Sequence, residues 1–326
     1  MFFWLAIIVV LFVAAEIVAR LFGLGRPLLY EKMPYGYRVV PNQSLTRFGN
    51  RIHYNEQGLR SEMIAPRPAP HVLRILCIGD SITFGSTATD QQLTYPYLLQ
   101  RELSARDRQQ RYEVLNASAG GWALENEEGW LAEHGVLASH VVVLQVATHD
   151  LFQDKAGSDA IGRDPGFPER RPQLALQEVV FRYLLPQLAW RLHLRKPDSE
   201  IYHHTRDDVT RTMASLTRIA GIVRSQGAEL LILFVEQPRA LEPQDELTRY
   251  GKSALFAKAA ELHIPVVCSA DAMELAGGTK AFFDGLHPNV VGNRVMAEVV
   301  AASIRHTQSC VDLSAASAAT PRSAVQ

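Results

Sequence analysis

Cysteine is scarce in this chain of 326 residues, which carries only Cys77, Cys268 and Cys310. Their wide spacing gives neither a dense disulfide framework nor the Cys-x-x-Cys pattern of a typical zinc site. Cys77 and Cys268 stand in apolar runs, where burial keeps a thiol protonated and unreactive. We therefore expect neither a cysteine nucleophile nor a cysteine-bound metal.

An excess of either charge is also missing. The chain has 33 Lys and Arg against 34 Asp and Glu, a formal net charge of -1. Proteins that bind nucleic acid cluster positive charge against the phosphates, and no long basic stripe is present here. We expect no nucleic-acid partner. With 47% hydrophobic and 21% charged residues, the composition is that of a globular protein with a sizeable core.

A long apolar run occupies the N-terminus, "MFFWLAIIVVLFVAAEIVARLFGLG", and only Glu16 and Arg20 interrupt it. About 20 residues span a bilayer. We therefore predict a single transmembrane anchor over residues 1–22. A signal peptide is the competing interpretation, but it should begin with a positively charged region, and the charged residues here stand where its cleavage zone should be.

The rest of the chain divides into three parts. Residues 23–70 are rich in turn-forming residues and predict a connector packed on the main domain, with the Pro-rich "APRPAPH" at its boundary. Apolar strands then alternate with helical periodicity, which predicts an α/β domain with a parallel sheet over residues 71–308. The predicted strands lie at about 73–79, 112–116, 140–146, 229–235 and 264–269. Residues 309–326 are small and polar, and we expect a disordered tail.

The first predicted strand breaks into Gly79-Asp80-Ser81 within "LRILCIGDSITFG". Ligands of open parallel sheets bind beyond the carboxyl ends of the strands, so Ser81 lies where a site is expected. A serine or aspartate after a strand is also a common helix N-cap. The motif alone leaves both interpretations open.

A second candidate pair lies near the C-terminus, where "FFDGLHPN" supplies Asp284 and His287. A serine hydroxyl is a poor nucleophile until a general base accepts its proton, and the base works best when a carboxylate orients it. One turn at this spacing lets the Asp284 carboxylate reach the His287 imidazole. A solvated pair, or half of a metal site, remains an alternative at this point.

Four sequence blocks together resemble the GDSL esterases, also called SGNH hydrolases. The blocks are "GDSITFG", "VLNASAGGW", "VVVLQVATHDL" and "DGLHPN", and they occur in the family's order. The resemblance spans roughly residues 72–306. It implies a three-layer α/β/α flavodoxin-like fold with a mainly parallel sheet. It also implies Ser81 as the nucleophile, with Asp284 and His287 as its triad partners.

The resemblance further implies an oxyanion hole, with the backbone N–H groups of Ser81 and Gly121 as donors. The third block departs from the family pattern Gly-x-Asn-Asp and reads Ala147-Thr148-His149-Asp150. His149 thus replaces the asparagine whose amide normally completes the hole. A neutral imidazole still offers one N–H, and we expect His149 to act as an altered donor. Loss of one donor typically lowers turnover by about 10²–10³.

Other residues near these blocks have expected supporting roles. Asp80 and Asp150 flank the nucleophile and the unusual histidine. Trp122 follows the oxyanion glycine and is either an aromatic wall of the pocket or a core residue. Glu125, Glu127 and Glu128 are expected on the solvent-facing side of a helix.

The predicted function is that of a serine esterase, which hydrolyses a short-chain acyl ester through an acyl-serine and needs no metal or organic cofactor. Two alcohol portions stay open: a carbohydrate, which the membrane anchor and family analogy favour, and a small alcohol with no role in glycans. The expected partners are a small-molecule or glycan ester as substrate and the membrane, through the N-terminal helix. The sequence does not predict the oligomeric state. One alternative is an O-acyltransferase that modifies a surface polysaccharide with the same triad. A different class, a catalytically weak glycan-binding or scaffold subunit, is suggested by His149.

The expected location is the inner membrane of a bacterium, with two arguments that disagree about the side. Positive charges follow the apolar run at Arg20, Arg26, Lys32 and Arg38, and the positive-inside rule then puts the main domain in the cytoplasm. Ester chemistry on surface polysaccharides favours the periplasm.

Overall fold

A five-stranded parallel sheet forms the centre of the chain in the computed structural model, which describes residues 2–192, 194 and 204–318 and the side chains up to residue 304. Within these residues the strands are β1 (Tyr30–Met33), β2 (Gly36–Val39), β3 (Gln43–Arg47), β4 (Asn50–Tyr54), β5 (Val72–Gly79), β6 (Arg111–Ser118), β7 (Val141–Ala147), β8 (Glu229–Val235) and β9 (Val266–Cys268). The helices are α1 (Phe2–Leu21), α2 (Ser81–Phe84), α3 (Tyr95–Arg106), α4 (Leu124–His134), α5 (Ala175–Glu178), α6 (Leu185–Arg191), α7 (Arg206–Ser225), α8 (Glu246–Glu261), α9 (Ala270–Leu275) and α10 (Val290–Ala318).

The order of strands in the central sheet is β6-β5-β7-β8-β9, and every neighbouring pair is parallel. Counted along the chain from β5, this is the 2-1-3-4-5 order of flavodoxin-like folds. The chain moves to opposite sides of β5 to form β6 and β7, so a crevice opens beyond the carboxyl ends of β5 and β7. The predicted α/β fold and its parallel sheet are confirmed, and β9 is shorter than expected.

Successive side chains along a strand point to opposite faces of the sheet, and this alternation divides the core into two layers. Ile75 and Cys77 pack with residues of α3 and α10 on one face of the sheet. Leu76 and Ile78, between and after them in sequence, pack on the other face with residues of α4, α7 and α8. The sheet is therefore covered by helices on both faces, as three layers require.

Two antiparallel hairpins, β1–β2 and β3–β4, make up much of the segment before β5. Their inward side chains, including Tyr37 and Tyr54, belong to the same core cluster as Leu76 of the sheet. This segment is thus part of the hydrophobic core and, as described below, it reaches the candidate site.

The two ends of the chain carry helices of different character. α1 is long and apolar enough to cross a membrane, and by length and composition it is either an anchor or a signal sequence. α10 extends into the segment predicted to be a disordered tail, and residues 319–326 of that segment lie outside the described residues. The disorder of residues 309–326 stays a prediction.

A buried ion pair joins the β3–β4 hairpin to α5. Arg47 Nη2 lies 2.5 Å from Glu178 Oε1, and both side chains are almost fully buried. The same guanidinium donates to the Tyr183 hydroxyl at 2.8 Å and to the Gly23 carbonyl at 3.2 Å. Removing only one member of such a pair lowers stability strongly, because the remaining charge stays buried without that partner.

We expect Arg47→Met to lower the free energy of unfolding by about 3–5 kcal/mol, because the buried Glu178 then loses its short contact with Arg47 and keeps the more exposed Arg182 at 3.5 Å as its counter-ion. The matched control is Arg51→Met, which breaks an exposed ion pair with Asp90 and should cost less than about 1 kcal/mol. Urea unfolding of the full chain in detergent measures both. If the two variants lost equal amounts of unfolding free energy, the buried pair would contribute no more to stability than the exposed one, contrary to our expectation.

Candidate active site

Ser81 lies immediately beyond the carboxyl end of β5, as the first residue of α2. Asp80 is the N-cap of this helical turn, and its Oδ1 accepts the Ile82 N–H at 2.8 Å. Gly85 ends the turn with a φ of +66°, a left-handed conformation that suits glycine. The local sequence thus makes a short, capped turn that presents the Ser81 hydroxyl at the mouth of the sheet.

His287 and Asp284 lie in the loop before α10 and reach the same place. His287 Nε2 is 3.0 Å from Ser81 Oγ, and His287 Nδ1 is 2.8 Å from Asp284 Oδ2. Asp284 Oδ1 accepts the backbone N–H groups of His287 at 2.9 Å and of Leu286 at 3.1 Å. The three side chains therefore form the connected series hydroxyl, imidazole and carboxylate that the sequence predicts.

Asp284 is held as a carboxylate. Partial burial disfavours its charged form, but the N–H groups of His287 and Leu286 and the His287 ring outweigh that effect and lower the pKa of Asp284. An ionised Asp284 fixes the proton on His287 Nδ1, so that Nε2 is free to accept a proton from Ser81. The arrangement can therefore deprotonate a serine hydroxyl.

A cleft of about 350 Å³ opens beside Ser81 and His287. Its walls come from the loop that follows α2, residues 85–89, and from the segment around Phe283 and Pro288. The volume is at the small end of the range for ligand pockets, which favours a compact group beside the serine.

Arg60, from the segment before β5, holds one wall of this cleft. Its buried guanidinium donates to three backbone carbonyls, those of Phe84 at 2.5 Å, Ser86 at 2.8 Å and Thr89 at 2.6 Å. These bonds fix the loop after α2. Arg60 was not among the site residues expected from the sequence, because no local pattern connects it to residues more than twenty positions away.

The loop after β6 places Gly121 with a φ of +79°. Tyr37 donates its hydroxyl to the Gly120 carbonyl at 2.6 Å, and Gln153 donates its amide to the Gly121 carbonyl at 2.7 Å. Because the peptide is planar and trans, fixing the Gly120 carbonyl points the Gly121 N–H to the opposite side. That N–H has no hydrogen-bond partner in the described part of the chain, so it is available to a ligand.

Trp122 lies beneath this loop and not on the wall of the cleft. Its side chain is 1% exposed, and its indole Nε1 donates to the Tyr37 carbonyl at 2.9 Å. It packs edge-on against Tyr35. Of the two expectations for Trp122, the structure agrees with core packing.

His149 is held between two carboxylates. Its Nε2 lies 2.9 Å from Asp80 Oδ2 and 3.3 Å from Asp150 Oδ1. Its Nδ1 is buried and has no partner among the residues that the structure describes. Asp80 thus engages the N–H on Nε2, and burial closes Nδ1 to a ligand, so this geometry does not support His149 as a donor to substrate.

The surroundings also change the charge expected of His149. Burial disfavours the imidazolium, but the Asp150 charge and the hydrogen bond to Asp80 outweigh it and raise the pKa of His149 to about 9. Burial raises the pKa of the Asp150 carboxyl, and the cation opposes that rise. These surroundings therefore favour the imidazolium over the neutral ring that was expected from the sequence.

The same three residues could hold a metal ion, because Asp80, His149 and Asp150 bring potential ligand atoms within 4.8 Å of one another. His149 Nε2 is hydrogen-bonded to Asp80 and lies within ion-pair distance of Asp150, contacts that suit an imidazolium. Asp80 Oδ1 and Asp150 Oδ2 accept the N–H groups of Ile82 and Ala147. Ion pairing therefore offsets part of the charge of this cluster, while His149 Nδ1 and Asp150 Oδ1 have no hydrogen-bond partner within the described residues.

Glu127 was expected on the solvent-facing side of α4, and this expectation is wrong. Its side chain is fully buried, and neither carboxylate oxygen has a partner within the described residues. Burial raises its pKa far above the ordinary value, and the charges of Asp150 and Asp80 add to the rise. The neighbours Glu125 and Glu128 do face outwards, where they pair with Arg211 and Arg218.

We expect the stabilising effect of His149 to depend on pH. Its pKa is raised above the unfolded value of 6.5, so its contribution is fully present below about pH 6.5 and is lost as the pH rises through about 9. The difference in unfolding free energy between wild type and His149→Asn should therefore narrow between pH 6 and pH 10.

Urea unfolding of the full chain in detergent at a series of pH values checks this. The matched control is His71→Asn, at an exposed histidine with no carboxylate partner among the described residues, and it should keep the wild-type pH dependence. A difference for His149→Asn that stays constant with pH would show that His149 is not held as a cation.

Comparisons with known proteins identify the family to which this chain is similar. A family model of the GDSL-like Lipase/Acylhydrolase family matches residues 77–295. Comparison with curated protein sequences finds no significant match.

Several solved structures are similar to this chain. LAE5, an alpha/beta hydrolase enzyme from the metagenome of Lake Arreo, is 17% identical over 71% of this chain and 94% of its own, with a TM-score of 0.46. The acetyl xylan esterase AlAXEase is 17% identical over 71% of this chain and 100% of its own, with a TM-score of 0.46. Axe2, an acetylxylan esterase from Geobacillus stearothermophilus, is 15% identical over 70% of this chain and 92% of its own, with a TM-score of 0.44.

The family match covers well over half of the chain and includes Ser81, Asp284 and His287. The chain belongs to the GDSL-like lipase/acylhydrolase family of ester hydrolases.

Proposed function

We propose that this protein is a serine esterase that cleaves a short-chain acyl ester, carried by a carbohydrate, through an acyl-serine intermediate. The observation that carries the proposal is the series Ser81, His287 and Asp284, with contacts of 3.0 and 2.8 Å between successive groups. The compact cleft beside Ser81 supports a short acyl group. The carbohydrate part rests on analogy with esterases of surface polysaccharides.

The mechanism begins with proton transfer from Ser81 Oγ to His287 Nε2 as the oxygen attacks the ester carbonyl. The negative charge that develops on the carbonyl oxygen needs donors fixed in advance. The Ser81 N–H is one, because the first residues of a helix have N–H groups without intrahelical partners. The Gly121 N–H, whose direction Tyr37 fixes, is the other.

Collapse of the tetrahedral intermediate expels the alcohol, which takes the proton from His287, and leaves an acyl-serine. Water then attacks the acyl carbonyl while His287 accepts its proton. The second tetrahedral intermediate releases the carboxylic acid and returns the proton to Ser81. Asp284 remains a carboxylate throughout and balances the imidazolium that forms twice in the cycle.

We expect Ser81→Ala and His287→Ala each to lower kcat by about 10⁴–10⁶, because each removes a group without which the others cannot act. Hydrolysis of p-nitrophenyl esters by the purified full chain measures this, and activity should fall from acetyl to octanoyl esters. The control is Ser104→Ala, at an exposed serine on α3.

Undiminished hydrolysis by Ser81→Ala would overturn the mechanism. A wild-type protein that neither hydrolyses these esters nor reacts at Ser81 with a serine-directed phosphonate would favour the glycan-binding or scaffold alternative. Acyl transfer is distinguished by its product: an acylated sugar, formed when a glycan acceptor is added, would replace the free acid.

We also propose that α1 remains attached as an anchor, because its C-terminal end takes part in the folded domain. Glu16 accepts the N–H groups of Ala175 and Leu176. The Phe22 carbonyl accepts the Phe48 N–H, and the Gly23 carbonyl accepts from the buried Arg47. A cleaved signal sequence leaves the mature protein, so a fold that uses these contacts favours retention.

We expect the intact mass of the protein from bacterial membranes to include residues 2–21. A mature protein that begins after Leu21 would contradict the anchor. Reporter fusions at the C-terminus then identify the compartment, where our proposal for a polysaccharide ester predicts the periplasm.

A further inference from the structure

The segment 174–192 exposes a row of large apolar side chains. It consists of α5, a π-helical turn over Val179–Leu184 and α6, and the last two contain no buried residue. The exposed apolar residues are Leu174, Val180, Phe181, Leu184, Leu185, Leu188, Trp190 and Leu192. Phe181 is 53% exposed, Leu188 51% and Trp190 72%. Soluble monomers rarely expose a contiguous apolar surface of this kind.

The leucines of this segment share one side of the helix, whereas Trp190 lies on the opposite side of α6. Leu184, Leu185, Leu188 and Leu192 are separated by one, three and four residues, which places them on a single face of a helix. Arg182 and Arg191 interrupt the apolar row along the same segment. A helix with an apolar face and flanking arginines has the composition of one that lies in the plane of a membrane interface.

The start of this segment is tied to the membrane-crossing candidate α1. Glu16 Oε1 accepts the Ala175 N–H at 2.8 Å, and Glu16 Oε2 accepts the Leu176 N–H at 2.9 Å. Arg20 donates to the Gln173 carbonyl at 3.0 Å. These bonds hold the segment beside the C-terminal end of α1, at a fixed position along its axis.

The length of α1 then sets the depth of the segment. The uninterrupted apolar part, residues 2–15, is only about 21 Å long at 1.5 Å per residue, whereas the hydrocarbon core is about 30 Å thick. All of Phe2–Leu21 is needed to cross it. Glu16 therefore lies about 7 Å inside the end of the span, and the N–H groups of Ala175 and Leu176 that bind it lie at the same depth.

Positive charge next to segment 174–192 is suited to binding anionic lipid headgroups. Arg170, Arg171 and Arg182 line a cleft of about 290 Å³ together with Phe181. Glu178 lines it as well and lies 3.5 Å from Arg182, so the cleft keeps an excess of positive charge. Cations at this position, beside an apolar face, can bind the phosphates of anionic lipids while the leucines enter the acyl boundary.

We propose that segment 174–192 is a second membrane contact, whose apolar face enters the anionic lipid interface beside the end of α1. The occupant of this face is the same bilayer that α1 crosses. The domain is then held at two places, which fixes its orientation on the membrane as well as its attachment. The inference goes beyond the proposed esterase activity and rests on the retention of α1.

The test places the same environment-sensitive fluorophore at two positions of the full chain. A background with Cys268→Ser and Cys310→Ser leaves the buried Cys77, and Leu188→Cys then labels the exposed face. Ser225→Cys is the control, because it is exposed at the C-terminal end of α7, just before the amino end of β8 and therefore at the edge of the sheet opposite Ser81. Both proteins are reconstituted in vesicles of phosphatidylcholine and phosphatidylglycerol that contain spin-labelled lipid.

We expect the label at position 188 to be blue-shifted and quenched several-fold more strongly by spin-labelled lipid than the label at position 225. Equal quenching at the two positions would overturn the proposal. A label at 188 that is blue-shifted but not quenched, with a shift that grows with protein concentration, would also overturn it, because the face would then bind a second protein chain. Ester hydrolysis by both labelled proteins confirms that they are folded, and intact mass separates loss of α1 from failure of the contact.

Discussion

The carboxylate of Asp80 is the group on which the candidate site depends. One of its oxygens caps the helical turn that begins with Ser81, and the other binds His149 at 2.9 Å. The second oxygen also lies 3.4 Å from Ser81 Oγ. A single buried side chain therefore sets the conformation of the loop after β5 and joins it to the loop after β7. Because both loops leave the sheet at the crevice, their relative position determines the geometry around Ser81.

The surroundings of Asp80 explain why a histidine can stand where the family usually has an asparagine. Two carboxylates approach the ring, and a cation between them offsets charges that burial would otherwise make costly. Glu127 lies behind them without a partner in the described residues, and its raised pKa keeps it neutral. The site thus uses His149 to balance charge, and the proposed oxyanion donors are reduced to two backbone N–H groups.

Much of the site's support comes from the segment before the sheet. Arg60 fixes the wall after α2, and Tyr37 fixes the peptide that precedes Gly121. The same segment, through Arg47, is joined by a buried ion pair to α5, which also binds Glu16 of α1. The apolar helix α1, the hairpins and the cleft are consequently connected by short polar contacts, so the proposed anchor and the proposed catalytic centre belong to one connected network.

The sequence by itself determined the α/β class, the five parallel strands and the identity of the Ser81, His287 and Asp284 series. Strand periodicity and short motifs are local, and a buried parallel strand that ends in a polar turn is recognisable without its neighbours. The tertiary structure decided the state of His149, the burial of Glu127 and the role of Arg60. Each of these depends on which side chains meet across loops that are distant in sequence. Burial and neighbouring charges set the pKa of a side chain and decide whether it donates or accepts a hydrogen bond. Both arise from contacts between distant loops, so a local sequence pattern does not reveal them.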